Sequence, residues 1–177
     1  GCRTSKAAPV VAASESSALP APPAGLGERF SCMWIKSIAE DKHQLYCAVF
    51  DAASVQSRRA VVVYAHGLGD HSHAAHLQET LYPHLTGEGF VTVAFDMRGH
   101  GRTGHASGQM YDVGEGADRQ DDLSAVIRAT KTKFPSLPLF VMGHSFGSAD
   151  LLSYVVRGYA GAGIIPTYDS VKLIEGI

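Results

Sequence analysis

Short runs of consecutive apolar residues alternate along the chain with longer segments in which apolar residues recur every three or four positions. Three of the short runs are rich in Val and other β-formers, and they lie at Ala60–Ala65, Phe90–Phe95 and Leu139–Met142. Apolar runs of this length, interrupted here only by Thr92, are typical of strands covered by helices on both faces. They predict three central strands of a mostly parallel sheet.

Two further strands are predicted before them, at Phe30–Ile38 and Gln44–Phe50, around the polar turn Glu40-Asp41-Lys42. This arrangement indicates a β-hairpin. A final candidate strand lies at Val171–Ile174.

Helical spacing fills the intervals between the strands. Leu77, Leu81 and Leu85 recur every four residues after Ser72, which predicts a helix there. A second helix begins near Ala117, with early Asp and late Lys and Arg residues that match the helix dipole. Its apolar stripe consists of Leu123, Val126, Ile127 and Phe134.

A third helix, Phe146–Val156, is apolar nearly all round, as expected of a buried central helix, and Gly158 is able to end it. The element order β-β-β-α-β-α-β-α predicts an α/β fold with a mostly parallel sheet and helices on both faces.

Residues 1–27 are rich in Ala, Ser and Pro, and we interpret them as disordered, ahead of a domain over 28–177. Behind a removed initiator Met, Gly1 would fit the N-myristoylation pattern, with Cys2 open to palmitoylation. Two acyl chains would give peripheral membrane association. A targeting-peptide remnant and an arbitrary fragment start are the alternatives.

Net charge and the length of the apolar runs argue against nucleic acid as a partner and against a membrane-spanning segment. The net charge is −2 with scattered Lys and Arg, so no basic stripe suggests nucleic acid. The apolar runs are far shorter than the roughly 20 residues that span a bilayer. Cys2, Cys32 and Cys47 are interpreted as reduced thiols of an intracellular protein, although the two later ones are able to face each other on neighbouring strands.

The chemistry is carried by Gly143-His144-Ser145-Phe146-Gly147, a G-x-S-x-G motif between an apolar strand and an apolar helix. A serine in such a tight turn has a strained backbone, and the glycines on either side remove side chains that would clash. The turn raises the Ser145 hydroxyl above the edge of the sheet. Ser145 is therefore the predicted nucleophile.

A second Gly-rich loop, His66-Gly67-Leu68-Gly69-Asp70-His71-Ser72, follows the strand Ala60–Ala65. An oxyanion hole in this architecture takes one N–H from the residue after the nucleophile and one from this loop. Phe146 and Leu68 would supply them. His66, Gly67, Gly143, His144 and Gly147 support the two motifs.

In these motifs the chain resembles the monoacylglycerol lipase and lysophospholipase branch of the α/β-hydrolases, also described as serine aminopeptidase S33-like. Two further matching stretches are Phe95–Thr103 and Asp121-Asp122-Leu123. The resemblance covers roughly half of the chain and implies an α/β-hydrolase fold, no cofactor and hydrolysis of a small lipid ester, either monoacylglycerol or lysophospholipid. A carboxylesterase, an iminopeptidase and a non-catalytic binding module of the same fold are the alternatives.

The family's triad continues, after the serine, with an Asp or Glu and then a His. No histidine follows Ser145 in the sequence, and Asp150 and Asp169 do not lie where the family's acid belongs. We therefore expect the fold to be truncated after the nucleophile helix and these 177 residues to be nearly inactive alone.

Other polar clusters have simpler interpretations. The histidines from His66 to His76 are expected to organise a loop rather than to bind metal, with His73 and His76 on a short helix. Arg98–Arg102 is interpreted as a Gly-rich turn rather than a phosphate-binding nest.

Overall fold

A computed structural model describes residues 29–156 and the backbone of residues 173–175. These residues contain a six-stranded sheet in the order β1-β2-β4-β3-β5-β6. The strands are β1 (Phe30–Lys36), β2 (Gln44–Phe50), β3 (Ala60–Ala65), β4 (Phe90–Phe95), β5 (Leu139–Gly143) and β6 (Leu173–Glu175). The helices are α1 (Tyr82–Gly87), α2 (Gly101–Ser107), α3 (Gly116–Lys133) and α4 (Phe146–Val156).

The sheet is mostly parallel, as predicted. β3 is parallel to both β4 and β5, and β5 is parallel to β6, whereas β2 runs antiparallel to β1 and to β4. The predicted hairpin is confirmed, although β1 ends two residues earlier than predicted; just beyond the strand the Ser37 N–H donates to the His43 carbonyl across the turn at 2.7 Å. Parallel pairing brings the carboxyl ends of β3, β4 and β5 to one edge of the sheet, where ligands bind in open α/β folds.

The stripe predicted for the first helix is only partly correct: Leu77 is buried and Leu81 packs against the core while half-buried, but Leu85 is not a core residue. A π-helical turn over Leu77–Leu81 precedes α1, and such a turn adds one residue to the helical repeat. Tyr82 and Thr86 are therefore buried, whereas Leu81 and Leu85 are half-buried. The Tyr82 ring stacks on Phe50 with ring centroids 4.2 Å apart.

Helix α2 was not predicted, because Gly101 and Gly104 lower its intrinsic helix propensity. Tertiary contacts hold it instead. The buried Asp96 carboxylate accepts the Arg102 N–H at 2.7 Å, and its backbone carbonyl accepts the Thr103 hydroxyl at 2.7 Å. A Cβ at Gly104 would lie 2.7 Å from the Met110 sulfur, so the glycine permits close packing.

Two expectations about side-chain placement are wrong. The first concerns the cysteines. Cys47 lies opposite Met33 and Cys32 opposite Ala48, so the two cysteines point to opposite faces of the sheet, and both are free thiols. Cys47 is buried, whereas Cys32 is half-buried.

The second concerns helix α4, which is not buried all round. Leu152, Val155 and Val156 expose 44–75% of their surface, so one apolar face of the helix is uncovered by the described residues. Leu151 and Tyr154 on the opposite face pack into the core against α3.

The segment 1–27, including Gly1 and Cys2, lies outside the described residues, as do Gly158 and Asp169. In the part of the chain that the structure covers, no helix combines the length and hydrophobicity needed to cross a bilayer.

Candidate active site

Ser145 occupies the tight turn between β5 and α4 with φ +51°, in the left-handed region. For a residue with a Cβ this conformation costs about 1–2 kcal/mol and persists only where the surroundings impose it. The Gly147 N–H donates to the His66 carbonyl at 3.1 Å and to the His144 carbonyl at 3.0 Å. The His144 N–H donates to the Ala65 carbonyl at 3.0 Å. The end of β3 thus holds the turn in place.

The two glycines of the motif allow this close approach. A Cβ at Gly143 would lie 2.7 Å from both the Ser148 nitrogen and the Leu151 Cδ1. A Cβ at Gly147 would overlap the Ala65 carbonyl and lie 2.7 Å from the His66 oxygen. Any side chain at either position would separate the turn from the strand beneath it.

The loop after β3 lies directly against the serine turn. A Cβ at Gly67 would lie 2.9 Å from His144 Nδ1 and 3.5 Å from the Ser145 Cβ. In the described part of the chain, the N–H groups of Leu68 and Phe146 donate to no acceptor. The structure therefore brings together Ser145 and the loop that carries one predicted oxyanion donor, and leaves both predicted donors open.

His66 links the loop after β3 to the loop after β4. Its ring is fully buried, its Nδ1 lies 2.8 Å from the Gly67 carbonyl, and its Nε2 accepts the Met97 N–H at 3.1 Å. The Gly67 carbonyl requires the proton on Nδ1 and the Met97 N–H requires an unprotonated Nε2, so the ring is neutral. Burial lowers the pKa of His66 to about 4 despite the bond to Gly67.

We expect the free energy of unfolding to fall by about 2 kcal/mol between pH 7 and pH 5 through His66 alone. Unfolded His66 binds a proton below about pH 6.5, whereas folded His66 does so only below about pH 4, so acid favours the unfolded chain. Urea unfolding of the wild type and His66→Gln at both pH values measures this contribution. Equal pH dependence in the two proteins would contradict it.

Arg98, in the matching stretch Phe95–Thr103, is the centre of a buried ion-pair network that the sequence alone does not predict. Its guanidinium donates two hydrogen bonds to the Asp122 carboxylate at 2.7 and 2.9 Å, and two to the Asp41 carboxylate at 2.8 and 3.4 Å. Asp118 lies 3.6 Å away. Burial opposes the charge on Arg98, but these carboxylates raise its pKa above its usual value. The early acidic residues of α3 therefore pair with Arg98 as well as with the helix dipole.

His73 and His76 have different partners and do not form one cluster. His73 lies before the helix rather than on it, and its Nε2 is 3.0 Å from the Tyr46 hydroxyl. His76 Nε2 lies 3.4 Å from the Asp70 carboxylate. Across the described residues, no three His, Cys, Asp or Glu side chains are grouped to hold a metal ion.

Within residues 29–156 no side chain makes a hydrogen bond to the Ser145 hydroxyl. Asp150, one turn along α4, is buried and paired with Arg119, with both carboxylate oxygens 3.0 Å from the Arg119 Nε. Asp150 therefore orients Arg119, whose guanidinium lies 4.9 Å from the centre of the Phe146 ring.

Comparison with known proteins places this geometry in a family. Residues 56–166, more than half of the chain, match the family model described as serine aminopeptidase, S33. A monoacylglycerol lipase from Mycolicibacterium smegmatis is 31% identical over 56% of this chain and 33% of its own length. A monoglyceride lipase from Saccharomyces cerevisiae is 30% identical over 59% of this chain and 35% of its own length.

Solved structures show the same fold. A thermostable carboxyl esterase from Bacillus coagulans, in complex with glycerol, superposes with a TM-score of 0.65 at 25% identity, over 82% of this chain and 43% of that one. The chain spans about a third of the length of each of the two lipases. The family match and the shared fold together show that the chain belongs to the serine aminopeptidase S33 family of α/β-hydrolases.

Proposed function

We propose that the protein is a serine hydrolase that cleaves acyl esters of glycerol, with monoacylglycerol or lysophospholipid as substrate and Ser145 as nucleophile. The observation that carries the proposal is the left-handed backbone of Ser145, held in a strand-to-helix turn against the loop after β3. Strain of this kind is found where function requires a fixed geometry. The glycerol ester follows from the two lipases to which the chain is similar.

In the proposed reaction the Ser145 oxygen attacks the ester carbonyl carbon, and its proton passes to a general base. The carbonyl oxygen becomes an oxyanion that accepts the N–H groups of Leu68 and Phe146, which lie open beside the serine. Collapse of this intermediate releases the glycerol oxygen, which takes the proton from the base. Water then attacks the acyl-serine ester by the same route and releases the fatty acid.

A serine hydroxyl without a base is a weak nucleophile at neutral pH. Because no histidine among the described residues makes a hydrogen bond to the Ser145 hydroxyl, we infer that a histidine and a carboxylate from the rest of the protein complete the triad. The match covers only about a third of each of the two lipases, so residues of this kind can lie in a part of the protein that corresponds to the remainder.

A general carboxylesterase is the second candidate, favoured by the likeness to the Bacillus coagulans esterase. Relative kcat/KM for long-chain monoacylglycerol and for short-chain esters separates the two, since only a lipid ester hydrolase prefers the former.

We expect a fluorophosphonate probe to label the full-length protein on the peptide that contains Ser145. Covalent capture requires both an activated serine and an oxyanion hole, so a binding module of the same fold would not react. Mass spectrometry of the labelled peptide identifies the serine, and heat-denatured protein is the control. Folded full-length protein that stays unlabelled, or is labelled at another serine, would refute the proposal.

A further inference from the structure

The predicted oxyanion donor Leu68 sits in a loop that its own side chain does not anchor. Leu68 exposes 66% of its surface and lies between Gly67 and Gly69, the second of which has φ +77°. Such a segment keeps a defined position only through hydrogen bonds from its surroundings. The Asp70 N–H closes the turn onto the Gly67 carbonyl at 3.1 Å, which shapes the loop but does not attach it to the rest of the fold.

Beside Leu68 the attachment comes from His100, in the loop after β4, whereas at the far end of the loop the Ser72 N–H donates to the Asp96 carboxylate at 2.7 Å. Its Nε2 accepts the N–H of Gly69, the residue next to Leu68, at 3.0 Å. Its Nδ1 lies 2.9 Å from the Arg98 carbonyl, which requires the proton on Nδ1 and leaves Nε2 as a bare acceptor. The ring exposes only 2% of its surface and lies edge-to-face against His66, with centroids 5.0 Å apart.

The two histidines form a reciprocal pair of braces. His66, the first residue of the loop after β3, accepts an N–H from Met97 in the loop after β4, and His100 in that second loop accepts the N–H of Gly69. One of these hydrogen bonds therefore involves the residue two positions before Leu68, and the other involves the residue directly after it. Both rings use the same tautomer, and both are buried.

We propose that His100 is a positioning residue that fixes the Leu68 N–H in the oxyanion hole by holding Gly69. The inference rests on the proposed function, because it assigns the Leu68 N–H to the transition state. His100 itself does not touch the substrate and acts through the backbone. A displaced donor loses most of its stabilisation of the oxyanion, so kcat is affected more than KM.

Two near-isosteric variants separate the two bonds of His100. In His100→Gln the amide oxygen reaches the position of Nε2 and can still accept the Gly69 N–H. In His100→Asn the shorter amide reaches only the position of Nδ1 and can donate only to Arg98. We expect His100→Asn to lower kcat by about 10- to 100-fold with KM nearly unchanged. We expect His100→Gln to retain roughly a third or more of the wild-type kcat.

The measurement uses full-length protein, with kcat on a monoacylglycerol normalised to the sites titrated by fluorophosphonate, so that unfolded protein does not count. Hydrogen exchange of the peptide that contains Gly69 measures the bond between Gly69 and residue 100 independently of enzyme activity. We expect this exchange to be faster in His100→Asn than in the wild type, and unchanged in His100→Gln. Equal kcat in the two variants, or unchanged exchange in Asn, would overturn the proposal.

If His100→Asn does not fold, His100→Phe, which keeps the ring shape without an acceptor, replaces it. Failure of both to fold would show that His100 serves folding rather than positioning. A wild-type protein that neither reacts with the probe nor hydrolyses ester would instead refute the proposed function, and the exchange result would still test the brace.

Discussion

Ser145→Ala is expected to lower kcat/KM for ester hydrolysis by about 10⁴-fold or more in the full-length protein. The nucleophile and its base act as one unit, so removal of the oxygen leaves only what binding and the oxyanion hole provide. The fold should be unaffected, since alanine and serine share the Cβ and therefore the same strain at φ +51°. Hydrolysis of monoacylglycerol and urea unfolding measure the two quantities.

Ser145→Gly is the matched variant, because it removes the oxygen and the strain together. We expect it to be as inactive as the alanine variant but about 0.5–1 kcal/mol more stable, since relief of the left-handed strain exceeds the entropy cost of glycine. Ser148→Ala, one position beyond the motif, is the control and should retain activity. Activity within about tenfold of wild type in Ser145→Ala would contradict the assignment of the nucleophile. Equal stability of the alanine and glycine variants would contradict the strain.

Arg98→Met is expected to lower the free energy of unfolding by about 3–5 kcal/mol. Arg98 and Asp122 expose only 3% and 2% of their surface, so removal of the guanidinium leaves a carboxylate charge buried without its partner. Urea unfolding of the purified protein at pH 7 measures the loss. A loss below about 1 kcal/mol would contradict the structure of the network.

Variants of the two carboxylates control this experiment. Asp41→Asn should cost less than about 1 kcal/mol, because the Asp41 side chain is 46% exposed and its pair with Arg98 is screened by water. The double variant Arg98→Met with Asp122→Leu should recover part of the loss, since no buried charge remains unpaired. If the double variant loses as much as the sum of the two single variants, the cost arises from packing rather than from the ion pair.

The strands and the serine turn were predictable because their signals are local. Apolar runs such as Ala60–Ala65 coincide with the strands of the structure, and the turn between β5 and α4 falls where the G-x-S-x-G motif lies between an apolar strand and an apolar helix. In both cases a few consecutive residues contain all the information needed.

The features that could not be predicted depend on residues far apart in the chain. Arg98 reaches Asp41 and Asp122 across two elements, and Asp96 supports a Gly-rich helix that its own sequence does not favour. The π-helical turn before α1 shifts the buried face by one residue, and nothing in the spacing of leucines indicates that insertion. The faces of the cysteines depend on the pairing register of β1 with β2.

The strand order has a consequence for how the site forms in time. Leu68 follows β3 and Phe146 follows β5, and these strands are neighbours in the sheet although α1, β4, α2 and α3 separate them along the chain. Contacts between such distant segments form slowly, because a long loop must close before they are made. A nascent chain that ends at α3 therefore contains Leu68, one of the two proposed oxyanion donors, but neither Phe146 nor the proposed nucleophile Ser145. Pairing of β3 with β5 is what brings the loop of Leu68 beside Ser145, so these parts of the proposed site meet only when the central strands of the sheet are paired.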